Sequence, residues 1–353
     1  MVVCLILVLI SYLLLFMARQ VENKNKGLAL TTIGIVIVAF CLISGFRSNI
    51  GDTETYMQSY TVLANNQSME FSQDVGFNTM SLFLTYLSPD PQLLILFTAI
   101  IIAVCNLVTL ARYRKYSYYE LQVYLYVTSG YFLTTMNGIR QALSAAILFS
   151  FTHLITKGKF LLYLIVVLVV STFHQSALVM IPVYFLARLK PWSKRLMLIS
   201  LAVFGFVIAF DMMLPFVFDV LQNTQYGYYE EYFMENNWGG SSLIRTVINY
   251  VPVGLAFMLR REIKEKWSES DIFVNMSLFN ALVMTVSLKN WIFARFSYYF
   301  QPYNFVLLPL IVSVLPREKE RRVLYYLLLV CYLIFMLVEQ TGLVYESNYL
   351  NLF

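Results

Sequence analysis

Along the chain, long apolar runs alternate with short polar joints. The runs fall at 2–17, 28–44, 92–111, 119–135, 139–156, 160–172, 176–187, 196–214, 243–259, 272–288, 291–315 and 323–340. A helix that crosses a bilayer needs about 20 apolar residues, so the pattern predicts about 12 transmembrane helices. The pair 160–172 and 176–187 is short for that task and reads as tilted, broken or re-entrant. A further short run, 77–88, reads as interfacial or re-entrant. Between the second and third runs, Tyr56, Tyr60 and Leu63 recur at helical spacing. That spacing predicts a helix over 53–64 lying on the surface, with Gly51 as a turn residue and Asp52 at its N-cap.

Composition agrees with the pattern. Of 353 residues, 59% are hydrophobic and 13% charged, and the mean hydropathy is +0.67. Soluble domains average about 25% charged residues. The expected fold class is therefore an all-α polytopic membrane protein, with residues 1–353 forming a single integral membrane domain. The 26 Tyr and 28 Phe suit aromatic belts at the membrane surfaces. Cys4, Cys41, Cys105 and Cys331 each lie singly inside an apolar run, with no metal-ligand spacing, and read as packing residues. Residues 2–17 carry no basic leader or small-residue cleavage site, and read as a retained first span.

Charge sets the orientation. If the joint holding Arg19, Lys24 and Lys26 is cytoplasmic, alternation puts 20 of the 25 Lys and Arg inside. Both termini then face outward, and two long outer loops result, 45–76 and 215–242. Five cations remain on or near the outer side: Arg47, Arg140, Arg245, Lys289 and Arg295. Each could snorkel to lipid headgroups. Yet four of the five are arginine, the side chain suited to bidentate phosphate contacts. The other basic residues are dispersed over short joints, which argues against nucleic acid as a partner.

The outer side also holds the candidate chemistry. Asn137-Gly138-Ile139-Arg140-Gln141 puts an arginine in the first turn of an apolar run. Free N–H groups of that turn and the guanidinium would face an anion together. An ionisable residue at membrane depth is a functional candidate by default. His174 falls in the turn between the two short runs, on the same side, where a neutral imidazole can take a proton from a hydroxyl. His153, toward the other end of its run, reads as structural. Tyr226-Gly227-Tyr228-Tyr229-Glu230-Glu231-Tyr232 in the second loop suits sugar contacts or an aromatic belt. Walker A, CxxC, HExxH, GxSxG and Asp-x-Asp patterns are absent, so no metal and no cofactor is expected.

Several motifs together resemble a family. They are Gly45-Phe46-Arg47-Ser48-Asn49-Ile50-Gly51-Asp52-Thr53-Glu54-Thr55-Tyr56, then Asp74-Val75-Gly76-Phe77-Asn78, Ile139-Arg140-Gln141-Ala142, Lys157-Gly158-Lys159 and Phe173-His174-Gln175-Ser176-Ala177. Their order and spacing over 45–184 resemble the EpsG family of Wzy-like bacterial polysaccharide polymerases, although Asp52 here follows Gly51 without an intervening residue. The resemblance implies an enzyme in the bacterial inner membrane. It would join polyprenyl-pyrophosphate-linked oligosaccharide units into a capsule, exopolysaccharide or O-antigen at the outer face, among membrane lipid and with a chain-length regulator as partner. On that basis Arg140 and Arg295 are expected at the pyrophosphate, with Arg47 and Arg245 as further contacts. His174 or Asp52 is expected as the base, and Gln141, Gln175 and Tyr56 at the substrate. Two other readings compete. One is a flippase for the same lipid-linked sugar, which would need cations reachable from both faces. The other is a membrane acyltransferase acting on surface sugars.

Overall fold

The structure, a computed structural model, describes residues 2–65, 74–210 and 239–350, together with 212, 216 and 219. Among these residues all regular structure is helical. Among the described residues four single helices are long and apolar enough to cross a membrane: α1 (Val2–Val21), α2 (Lys26–Gly45), α5 (Gln92–Tyr113) and, late in the chain, α17 (Glu318–Glu339). At about 1.5 Å per residue, 20 residues reach about 30 Å, the thickness of the hydrocarbon core. Their outward faces keep Leu9, Ile10, Leu13, Val38, Val330 and Ile334 exposed. That is the surface expected where lipid takes the place of water.

Thirteen shorter helices complete the described residues, and some of them fill the interior. They are α3 (Thr53–Ala64), α4 (Val75–Thr85), α6 (Tyr119–Thr128), α7 (Tyr131–Thr134), α8 (Ile139–Ser150), α9 (Thr152–Thr156), α10 (Phe160–Ser171), α11 (Met180–Ala187) and α12 (Lys194–Ile208). Then follow α13 (Leu243–Met258), α14 (Arg260–Lys266), α15 (Asp271–Val286) and α16 (Gln301–Val314). Every residue of α6 is buried, and most of α8, α15 and α16. The long helices pack around them, α1 and α17 against α6, and α5 against α8.

The expected helix over 53–64 is α3, with those bounds. The run 77–88 is α4, 11 residues and too short to span. Other runs are interrupted. Run 119–135 breaks at Gly130, whose φ of +82° is a left-handed conformation that glycine adopts without penalty. Run 139–156 breaks at Phe151, between α8 and α9. Run 291–315 begins as a 3-10 turn, Trp291–Tyr299, before α16 starts. The chain also bends by 79° between α13 and α14. Such breaks are tolerated at membrane depth only where protein or a cavity surrounds them. The breaks at Gly130 and at Trp291–Tyr299 do face one cavity, as described below.

Candidate functional site

The site begins with a backbone clamp. Asp74 precedes α4 in a left-handed conformation, with φ of 49°, which Asp tolerates better than most side chains. The Gly76 N–H donates to the Thr172 carbonyl at 2.8 Å. A Cβ on Gly76 would lie inside contact distance of Thr172, so only glycine permits this approach. The clamp holds the start of α4 against the 172–174 turn, and so places Asp74 beside His174.

One oxygen of Asp74 then gathers two partners. Arg140 Nη1 donates to Asp74 Oδ2 at 3.1 Å, and His174 Nδ1 lies 3.5 Å from the same atom, an ion-pair distance rather than a tight hydrogen bond. The side chains are graded in exposure, 4% for Asp74, 18% for His174 and 36% for Arg140. Burial pushes the Asp74 carboxyl up, but the hydrogen bonds and charges of His174 and Arg140 outweigh it and hold it below its ordinary value. The guanidinium of Arg140 rests on the rings of Tyr56 and Phe77, 5.5 and 5.3 Å from their centroids. Arg140 Nε and Asp74 Oδ1 have no hydrogen-bond partner. Because Asp74 offsets its charge, Arg140 offers fixed donors rather than net positive charge.

The net charge comes from the neighbouring wall. Gln141 donates through Nε2 to the Arg295 carbonyl at 3.1 Å and to Ser176 Oγ at 3.2 Å. Ser176 Oγ in turn lies 2.7 Å from the Tyr299 hydroxyl. This ties the start of α8 to the 3-10 turn that carries Arg295. Arg295 joins none of the ion pairs among the described residues; its guanidinium stacks on Trp291 at 5.3 Å. It lines a cavity of about 510 Å³ that also includes Gly130, Asn137 and Tyr298. The segment 137–141 is thus a shared wall: Asn137 faces the cavity, and Arg140 reaches Asp74.

The structure sorts the other expected site residues. Tyr56 is part of the Arg140 cradle. Asp52 is exposed at the start of α3, where its side chain makes no capping bond; its N–H instead donates to Asn137 Oδ1 at 3.1 Å. Arg47 is 1% exposed, and donates to Thr53 Oγ1 at 3.0 Å, to the Met136 carbonyl at 2.9 Å and to the Ser44 carbonyl. It therefore braces α2, α3 and the 137–141 wall from beneath, and does not face the cavity. Gln141 likewise spends its donor on protein. Gln175 is exposed beside His174. Arg245 lines the cavity, but its Nε donates to Glu339 Oε2 at 2.8 Å, so its charge is already answered. The tyrosine-rich stretch 226–232 lies outside the described residues. His153 accepts the role read for it, sitting 3.3 Å from both Arg112 Nη1 and the Ser150 carbonyl.

Sequence reasoning did not assign Asp74 or Glu339 to the site. Asp74 stood in a quoted motif, where a carboxylate just before a glycine was the available signal. Glu339 was a lone acid at the end of an apolar run.

A family model described as the EpsG family matches residues 30–350 of this chain. No curated protein and no solved structure matches it.

Proposed function

Because the chain belongs to the EpsG family of Wzy-like polysaccharide polymerases, we propose that it joins polyprenyl-pyrophosphate-linked oligosaccharides at the outer face of a bacterial inner membrane. The chain is a multi-pass membrane protein of polymerase type. The finer reading includes twelve crossings with both termini outside and a reaction that uses no metal.

In this reading a sugar hydroxyl of the acceptor attacks the anomeric carbon of the donor. Its proton passes to the imidazole of His174. The bond from that carbon to the pyrophosphate oxygen breaks, and the electron pair leaves with the lipid pyrophosphate. Asp74 Oδ2 stands 3.5 Å from His174 Nδ1, a position that favours a proton on Nδ1 and leaves Nε2 as the basic nitrogen once the two close to hydrogen-bond distance. Arg295 supplies positive charge to the leaving group, and Arg140 supplies donors already aimed by Asp74, Tyr56 and Phe77. Asp52, exposed near the Asn137 wall, is the other carboxylate within this region that could take a proton. Arg47 and Gln141 act as positioning residues.

The observation that carries the reading is the sharing of Asp74 Oδ2 by Arg140 and His174. It couples an anion donor to a base through a carboxylate that lies 66 residues from the arginine along the chain. In cells, Arg140→Ala is expected to abolish surface polymer while the protein still accumulates in the membrane. Normal polymer from that variant would overturn the assignment.

A further inference from the structure

The cavity beside Arg295 contains hydrogen-bonding capacity that the fold leaves unused. Three amides from three helices meet there: Asn249 of α13, Asn304 of α16 and Gln340 at the end of α17. Asn249 is fully engaged. Its Oδ1 accepts from Asn280 at 2.5 Å and from Asn304 at 3.2 Å, and its Nδ2 donates to the Arg245 carbonyl at 2.8 Å. That network fixes the Asn304 amide, yet Asn304 Oδ1 has no partner. Gln340 has none for either Oε1 or Nε2. Both side chains are buried, at 4% and 6% exposure.

A buried amide left unpaired costs about 1–3 kcal/mol, and such groups call for an explanation in a ligand or ordered water. The chemistry of the vacant positions narrows the ligand. Asn304 offers an acceptor, and Gln340 offers an acceptor and two donors. A phosphate needs donors only, and a polyprenyl tail needs neither. Sugar hydroxyls both donate and accept, and so match this set. The size of about 510 Å³ lies inside the range of small-ligand sites. The same lining carries charge as well, in Arg295 and in Arg245, which is paired with Glu339.

We infer that this cavity binds the neutral sugar portion of the substrate, with Asn304 and Gln340 as specificity-determining contacts to its hydroxyl groups. The inference rests on the polymerase reading for its substrate class. It divides the labour: pyrophosphate toward Arg295, sugar rings toward the amides.

The test uses the full chain in lipid nanodiscs and calorimetric titration. The probe is the neutral oligosaccharide released by mild acid from its pyrophosphate carrier. Gln340→Met and Asn304→Leu keep side-chain length or shape but remove the amide. Each is expected to weaken binding by about tenfold or more, the worth of one good hydrogen bond to a ligand. Gln340→Met should not lower Tm, because the Gln340 amide has no partner in the empty fold; Asn304→Leu also gives up the bond to Asn249 and is read on binding alone. Gln340→Met is the safer of the two, since its backbone bond to the Met336 carbonyl is untouched. Wild-type affinity in both variants would overturn the inference, as would no binding by the wild-type protein. Lost binding together with a lowered Tm in Gln340→Met would assign that amide to the fold and overturn it as well. The two readings fail separately. Unchanged binding in the variants of a protein that still polymerises removes only the sugar site. A wild-type protein that makes no polymer from the intact lipid-linked substrate removes the polymerase reading, whatever the titration shows.

Discussion

Two clusters of arginine, carboxylate and polar ring sit at opposite ends of the helix bundle, built from similar parts. At one end Arg19 Nη2 pairs with Glu120 Oε1 at 3.1 Å. The Tyr325 hydroxyl donates to the same oxygen at 3.2 Å, and lies 2.9 Å from the Tyr12 hydroxyl. At the other end Arg140 and His174 share Asp74. Both carboxylates are buried, Glu120 at 0% and Asp74 at 4%. What differs is the third partner and the space beside it. Tyrosine cannot serve as a base near neutral pH, whereas imidazole can. The gap next to Arg19 holds about 30 Å³, whereas the 137–141 segment joins the Asp74 cluster to the wall of a cavity of about 510 Å³, which Asp74, Arg140 and His174 do not themselves line. A buried ion pair is therefore weak grounds for a functional site. An imidazole in place of a phenol, and a large cavity across the 137–141 wall, are what separate the two.

Breaking each cluster should give different results. Arg140→Ala is expected to have the largest effect, lowering the polymerisation rate by about 10²–10³-fold, as for removal of a donor to a developing negative charge. Its amount in the membrane should be unchanged. Asp74→Asn comes next. It leaves shape intact but removes the charge that holds His174, and should reduce kcat by about 100-fold with little change in KM. A change in KM alone would mean that Asp74 serves binding and not the base. Glu120→Ala should leave the rate per folded molecule unchanged and cost about 2 kcal/mol of stability. That is below the range for a fully buried pair, because Arg19 is 33% exposed. Loss of turnover in a well-folded Glu120→Ala protein would erase the contrast between the clusters.

The smallest expected effect is on pH dependence. The folded pKa of Asp74 lies below its unfolded value, which is about 4. Its contribution to stability is thus present above about pH 4 and is lost as pH falls through the folded value. Unfolding followed from neutral to acid pH should show this loss in the wild-type protein and not in Asp74→Asn.

Much of this molecule was legible in the sequence, and the unreadable parts have physical reasons. Helix α3 announced itself because Tyr56, Tyr60 and Leu63 keep helical spacing and are buried. Arg140 and His174 stood out as polar groups at the edges of apolar runs. The interruptions at Gly130 and Trp291–Tyr299 did not, because each falls inside a run that stays apolar on both sides. Interior helices also need not span alone once α1, α2, α5 and α17 enclose them. Arg47 shows another limit. Residue type reveals a cation, but only packing shows that its donors are spent on Ser44, Thr53 and Met136. Asp74 and Arg140 lie 66 residues apart and meet through the Gly76–Thr172 clamp, a contact no local pattern encodes. Asn304 and Gln340 left a weaker trace as amides within apolar runs.

The most direct test of the central claim is reconstitution. Purified protein in lipid would be given a polyprenyl-pyrophosphate oligosaccharide, without nucleotide or divalent metal, and the products resolved on a gel. The account predicts a ladder of polymer that disappears in both Arg140→Ala and His174→Ala and persists in Glu120→Ala. A ladder that survives in His174→Ala and Arg140→Ala would contradict it. So would movement of the lipid-linked sugar between leaflets with no ladder from the wild-type protein.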